Sequence, residues 1–269
     1  MGEQLKNAPV FFTIGQVVHN PLLSLSTYLP HIQERMRKLG FPDFKRLNQM
    51  RFVVSGLPGM DGGHEGQPPF QQMEVYHFAS MDGSRTFILE QTALSLFSTT
   101  YENYEEFFGQ LKVGLEVLTE AVGGLSYSER LGLRYLDAVV PGSGEALSLY
   151  LEPALLGLSE KMTDSIFGHT FTESALLVEG VGQIIARAIV QAGKLALPPD
   201  LVGPSMMKLQ PRFEGIEGVH AVLDIDGSRI ERRVFDLGDI QSGMGALHEH
   251  IKRCFHASVT EHALNTWNA

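Results

Sequence analysis

Cysteine is nearly absent from this chain of 269 residues: only Cys254 is present. No intramolecular disulfide framework can form, cysteine-rich metal sites are excluded, and the usage fits a reducing compartment. Long apolar runs are missing too. Stretches such as 175–178 and 184–185 fall far short of the roughly 20 residues a membrane-crossing helix needs, and the N-terminal MGEQLKNAPV has no apolar signal core. The expectation is a cytoplasmic protein with no membrane partner. Basic residues are scarce, 21 against 31 acidic, for a net charge of −10. That balance disfavours nonspecific attraction to a phosphate backbone, so direct nucleic-acid binding is disfavoured. The densest basic stretch, RIERR at 229–233, is interrupted by an acid and an isoleucine. On a strand, Arg229, Glu231 and Arg233 share one face of mixed charge.

The motifs of familiar chemistry are also missing. There is no GxSxG nucleophile elbow, GxxxxGK[ST] loop, strand-anchored GxGxxG, HExxH or paired CxxC. The three glutamates near the start of the helix at 99–122 answer the helix dipole rather than acid-base chemistry. No catalytic residue, metal ligand or cofactor is therefore expected.

What is present is an alternation of strand-like and helix-like segments. APVFFTIGQVV at 8–18 reads as a strand. Tyr28, Leu29, Ile32, Met36 and Leu39 recur at helical spacing over 25–39, and Gly40 and Pro42 end that run. A strand at 50–55 precedes PGMDGGHEGQPP at 58–69, whose glycines and prolines mark a surface loop. Three short strands at 74–79, 85–90 and 93–98 form a meander. Thr99 and Glu102 have capping-box spacing before a helix with an apolar stripe from Tyr104 to Val122. SERLGLRYLDAVV at 128–140 is strand-like, and PGSG at 141–144 is the preferred boundary between two halves, 1–142 and 143–269. Beyond it come one or two short helices over 146–162, a hairpin of 170–178 with 183–191, a loop at 195–205 and a strand at 219–225. A helix carries Leu247, Ile251, Cys254 and Phe255. Ser258 and Glu261 have the spacing to cap a terminal helix bearing Trp267, the sole tryptophan. The expected fold is α+β, with two antiparallel β-sheet halves each packed by amphipathic helices.

The tetrapeptide Asp-Gly-Ser-Arg occurs twice, at 82–85 and 226–229. Each copy follows a strand and precedes extended chain, and Asp-Gly is a strong turn signal. Both are read as strand-ending turns.

Two constellations could carry recognition. Arg130 and Arg134 share a strand face with Gly132 between them, whose missing side chain leaves room for an anion or a close-packed partner. Together with Tyr135 they are the candidate ligand- or partner-binding residues. The alternative is that each arginine pairs with a local carboxylate, Glu129, Asp137 or one on a neighbouring strand. In the C-terminal region, His250 and Cys254 are four apart on one helical face, a spacing metal sites use, with His248, His256 and His262 nearby. The competing reading gives Cys254 to the apolar stripe and leaves the histidines satisfied or exposed. The glycines of QSGMGAL at 241–247 are read as an exposed helix start.

KNAPV at 6–10, RLGLRYLDAV at 130–139, VLDIDG at 222–227 and LHEHI at 247–251, followed by a phenylalanine, a short capped helix and a late tryptophan, resemble an uncharacterised family of sporadically distributed prokaryotic proteins of similar length. Its central motif reads close to RxGLRYxN, with Asp137 here where an asparagine is common. The resemblance implies horizontally exchanged modules such as antiviral defence or toxin neutralisation. The leading expectation is a non-enzymatic protein-binding or assembly subunit of such a module, holding a protein partner. The alternatives are a binder of a small anionic ligand such as a nucleotide through Arg130 and Arg134, and a metal-dependent hydrolase using His248, His250 and Cys254.

Overall fold

The structure, a computed structural model, describes residues 5–52, 70–158, 161–162, 168–201 and 207–269. The expected loop at 58–69 lies outside them, as does part of the loop at 195–205.

Among the described residues nine strands form one antiparallel sheet. They are β1 (Val10–His19), β2 (Asp43–Phe52), β3 (Phe70–Ala79), β4 (Arg85–Leu89), β5 (Ala93–Ser98), β6 (Tyr127–Val139), β7 (His169–Val178), β8 (Gly182–Ala192) and β9 (Val219–Val234). The spatial order is β2-β3-β4-β5-β1-β6-β9-β8-β7. Four α-helices accompany them: α1 (Leu25–Lys38), α2 (Tyr104–Val122), α3 (Leu237–Ser258) and α4 (Glu261–Asn268).

The α+β class is as expected, but the two separate sheets are not found. β6, the last strand before the PGSG segment, pairs along its length with β9 from the C-terminal part of the chain. β1 joins it to the N-terminal meander through β5. A central strand has two hydrogen-bonding edges to satisfy, and here each half supplies the other's missing neighbour.

The faces are unequal. Helices α1, α2 and α3 cover one face. Phe107, Leu111, Leu115 and Leu118 of α2, and Ile240, Met244, Leu247 and Ile251 of α3, close over Val17, Phe87, Leu94, Leu96, Leu131, Leu133 and Ile225. Each fully enclosed leucine there contributes about 2 kcal/mol by leaving water. On the same side, α4 and the 3-10 turns at Leu147–Leu149 and Pro153–Leu155 build a smaller core around Tyr150, Leu223 and Trp267. Among the described residues the other face carries no α-helix. Leu195, Leu201, Leu209, Phe213 and Ile216 lie over Phe11, Phe12, Phe97, Leu136 and Val222, leaving a polar strip beside them.

The repeated tetrapeptide adopts two different structures. At 82–85 it is the expected turn: the Asp82 carboxylate accepts from the Ser84 amide at 3.0 Å and the Ser80 hydroxyl at 2.6 Å, and Gly83 has φ +73°. At 226–229 the chain continues straight through β9, hydrogen-bonded to β6 and β8. Two flanking strands outweigh a local turn preference. Gly227 is used there for its missing side chain, since a Cβ would meet Ile184, Ile251 and Leu247 at 3.0–3.3 Å.

Helix starts also move. Asn103, not Thr99, caps α2, its side chain accepting from the Glu106 amide at 2.8 Å; the Thr99 hydroxyl instead donates to the Lys208 carbonyl at 2.6 Å. Asp236 caps α3, so the QSGMGAL glycines lie inside that helix rather than at its start. Thr260, not Ser258, caps α4.

Gly182, where β8 begins, sits at φ +136° with Ser228 of β9 close by: a Cβ would stand 2.1 Å from the Ser228 carbonyl oxygen. Backbone strain alone makes Gly182→Ala destabilising by about 1–3 kcal/mol, and the backbone clash adds to it. Urea unfolding followed by the fluorescence of buried Trp267 measures the loss; an unchanged midpoint would show that the strands can separate there freely.

Candidate functional site

Side chains of β6 alternate between the faces of the sheet, and this divides the four residues singled out from the sequence. Arg130, Gly132 and Arg134 point to the face without helices, as the alternation requires; Tyr135 points under the helices with Leu131 and Leu133. Tyr135 therefore belongs to a different environment from its three neighbours.

On the open face the arginines meet carboxylates and amides of adjacent strands. Arg134 donates through Nε and Nη2 to the two oxygens of Asp224, both at 2.7 Å, and through Nη1 to Asp200 at 2.5 Å. Burial pulls its pKa down, but the hydrogen bonds it donates to Asp224 and Asp200 prevail and hold it above the ordinary arginine value. Arg187 of β8 reaches Asp224 at 3.4 Å and Glu173 of β7 at 2.7 Å. Arg130 donates to the Gln16 side chain at 2.8 Å and lies over Gly132, where a Cβ would stand 2.7 Å from its guanidinium. Asp226, paired in register with Arg134, has its pKa raised by burial against the pull of Arg130 and Arg134. Three guanidiniums thus face four carboxylates, Asp200, Asp224, Asp226 and Glu173. The space above Gly132 is filled by the protein's own arginine, and carboxylates of the chain itself outnumber the guanidiniums.

The helical face opens into a cleft of about 850 Å³ where the start of β1, the end of β6, the entry to α2 and the middle of α3 converge. Rings dominate its polar wall. Tyr104 stacks on His248, with centroids 4.3 Å apart and planes at 9°. Tyr101 meets Tyr135 edge to face at 5.2 Å, and the Tyr135 hydroxyl lies 3.2 Å from His248 Nδ1. Burial lowers the His248 pKa, keeping the ring neutral near pH 7, and raises those of Tyr101, Tyr104 and Tyr135. Asp137, two residues beyond Tyr135 on the same face, also lines the cleft. Burial, and to a smaller extent the charge of Asp224, pushes its pKa up to about 8. One signal in the sequence marks this position: an acid on the apolar parity of a central strand. Tyr101 and Tyr104 carry no comparable mark, because aromatics before a helix are ordinary core formers.

The C-terminal histidines do not converge with Cys254. His248 is in the tyrosine cleft, and His250 Nδ1 contacts the Ala246 carbonyl at 3.0 Å. Cys254 packs against the main core, its thiol pKa raised by burial. Among the described residues no three His, Cys, Asp or Glu side chains are grouped to hold a metal ion.

The two edges of the sheet differ as surfaces. β2 carries Asp43, Lys45 and Arg46, with Lys45 paired to Asp43 and Arg46 to Glu74 of β3, the charged dress that discourages edge pairing. β7 has one acid, Glu173, and exposes Phe171 (55%), Leu176 (45%) and Leu177 (87%). Its outer backbone edge has no neighbouring strand among the described residues.

The fold and these surfaces define an α+β protein built on a single nine-stranded antiparallel sheet, with a tyrosine-lined cleft on its helical face and one apolar, unguarded edge. Comparison with protein-family models, with curated proteins and with solved structures yields no match. Among the described residues no helix is long and apolar enough to cross a membrane.

Proposed function

We propose that this chain is a non-enzymatic assembly protein that acts through β7, pairing it antiparallel with the β7 strand of a second copy. The observation that carries this reading is the exposed, almost uncharged edge, which is a template for strand addition. The register follows from the residues. A two-fold axis perpendicular to the sheet keeps each face continuous, so only registers pairing residues of equal parity are allowed. Centring on Ser174 sets Phe171 opposite Leu177 of the other copy, Thr172 opposite Leu176, Glu173 opposite Ala175 and His169 opposite Glu179. Both large exposed apolar side chains of one face are then covered, and no like charges oppose each other. Centring on Glu173 would set that carboxylate against itself. The antiviral-defence or toxin-neutralising setting stays part of this proposal on the strength of the resemblance alone.

Size-exclusion chromatography with light scattering tests it on the purified chain. The expected mass is twice the 29.7 kDa of one chain, reverting to one chain in Leu177→Lys, a substitution at a site too exposed to endanger folding. A monomer at every concentration, or a dimer indifferent to both Leu177→Lys and Phe171→Lys, overturns the reading. A monomer that instead leaves its host with a different protein in stoichiometric amount, lost in Leu177→Lys, makes that protein's strand the occupant and overturns the self-pairing.

A further inference from the structure

One polar group in the cleft is left without a partner by the protein itself. Asp137 is 6% exposed, yet its carboxyl makes no hydrogen bond or ion pair among the described residues while lining the cavity. Buried polar groups are almost always satisfied, and leaving one unmet is costly. An unmet carboxyl that lines a cavity marks a place where something else completes the bonding.

The surroundings select the kind of molecule. Ala8, Pro9, Val10, Ile251 and Phe255 supply an apolar wall, suited to a hydrocarbon or aromatic body rather than a hydrated metal ion. The tyrosine and histidine rings supply π-faces that attract a cation. Glu105 and Glu249 line the cleft with the ammonium of Lys252, within a chain of net charge −10. This field repels anions and draws in cations. A cleft of about 850 Å³ is in the range of small-molecule sites.

We propose that the cleft is a binding site for a small organic amine, with the ammonium held by the Asp137 carboxylate and the apolar body against Ile251 and Phe255. The ammonium contributes what the site lacks, a charged donor for a buried acceptor. Burial that keeps Asp137 protonated in the empty cleft is overcome when a cation arrives, so binding near neutral pH releases a proton. This site is independent of the β7 edge, and each proposal can fail alone.

Isothermal titration calorimetry with three probes of one shape tests it: phenethylamine, the neutral 2-phenylethanol and the anionic 3-phenylpropionate. Saturable binding of the amine is expected, with the alcohol and the acid much weaker. Asp137→Asn, which preserves shape, is expected to weaken the amine roughly thirtyfold or more, the loss typical of truncating one partner of a buried charge pair. Thermal unfolding followed by Trp267 verifies that the variant folds. Equal binding of amine and alcohol, amine affinity retained in a folded Asp137→Asn, or no saturable binding of the amine overturns the assignment.

Discussion

Asp224→Ala is expected to lower the unfolding free energy by about 3–5 kcal/mol, the cost of stranding a buried charge. The Asp224 side chain is 1% exposed and that of Arg134 11%. Asp224 lies on β9 between Leu136 of β6 and Arg187 of β8. Removing it leaves Arg134 deprived of two hydrogen bonds and Arg187 of one, with Asp200, itself largely exposed, as the remaining carboxylate on Arg134. The pair as a whole is worth much less than this loss, because desolvating two ions consumes most of their attraction. The double variant Asp224→Leu with Arg134→Met is therefore expected within about 2 kcal/mol of the parent. Urea titrations read by Trp267 fluorescence compare the three proteins. A single-variant loss below about 1 kcal/mol, the level of an exposed pair, would mean that Asp200 and water take over the charge.

Between pH 6.5 and pH 8 Asp137 is expected to withdraw roughly 1.7 kcal/mol of unfolding free energy, read as the difference between the pH profiles of the parent and Asp137→Asn. The folded pKa of Asp137 is raised from 3.8 to about 8. Between those values the folded chain holds a proton that the unfolded chain has released, so stability declines as pH rises through this window. Asp226, also raised by burial, adds in the same direction. On the acid side the sign reverses. Burial lowers the pKa values of His19, His77 and His248, so the unfolded state takes up protons first below about pH 6.5 and stability falls with falling pH. The two slopes oppose each other, so maximum stability is expected where they balance. The groups facing Asp137 within the cleft, Tyr101, Tyr135 and His248, do not change charge between pH 6.5 and 8, because burial holds the phenols up and the imidazole down. The same slope in Asp137→Asn as in the parent would rule Asp137 out as a source of pH dependence.

Legibility in the sequence followed the range of the interactions. The stripe of α1, the meander of β3 to β5 and the β7–β8 hairpin come from periodicity and turn chemistry within a few residues, and they were readable. Cap positions were not, because several side chains near each helix start compete for them. Thr99 has capping chemistry, but a contact with Lys208, 109 residues away, claims its hydroxyl. Asp226-Gly227 reads as a turn by every local rule, yet strands on both sides hold it extended. At the candidate sites, alternation placed Arg130 and Arg134 on one face, whereas the carboxylate that engages Arg134 lies 90 residues away in sequence. The cleft was hidden for the same reason: Tyr101, Tyr135 and His248 come from three separated segments.

By itself the sequence determined the α+β class, most of the strands and helices, the want of any familiar catalytic motif, and the face that Arg130 shares with Arg134, because each depends on residue type and short spacing. The tertiary structure alone decided that there is one sheet and not two, that the open-face arginines meet internal carboxylates, that Asp137 lies unpaired among tyrosines, and that β7 is left as an edge. Those outcomes depend on which distant strands pair, and pairing is chosen by the burial and hydrogen bonding of the whole sheet at once, which no local stretch of chain encodes.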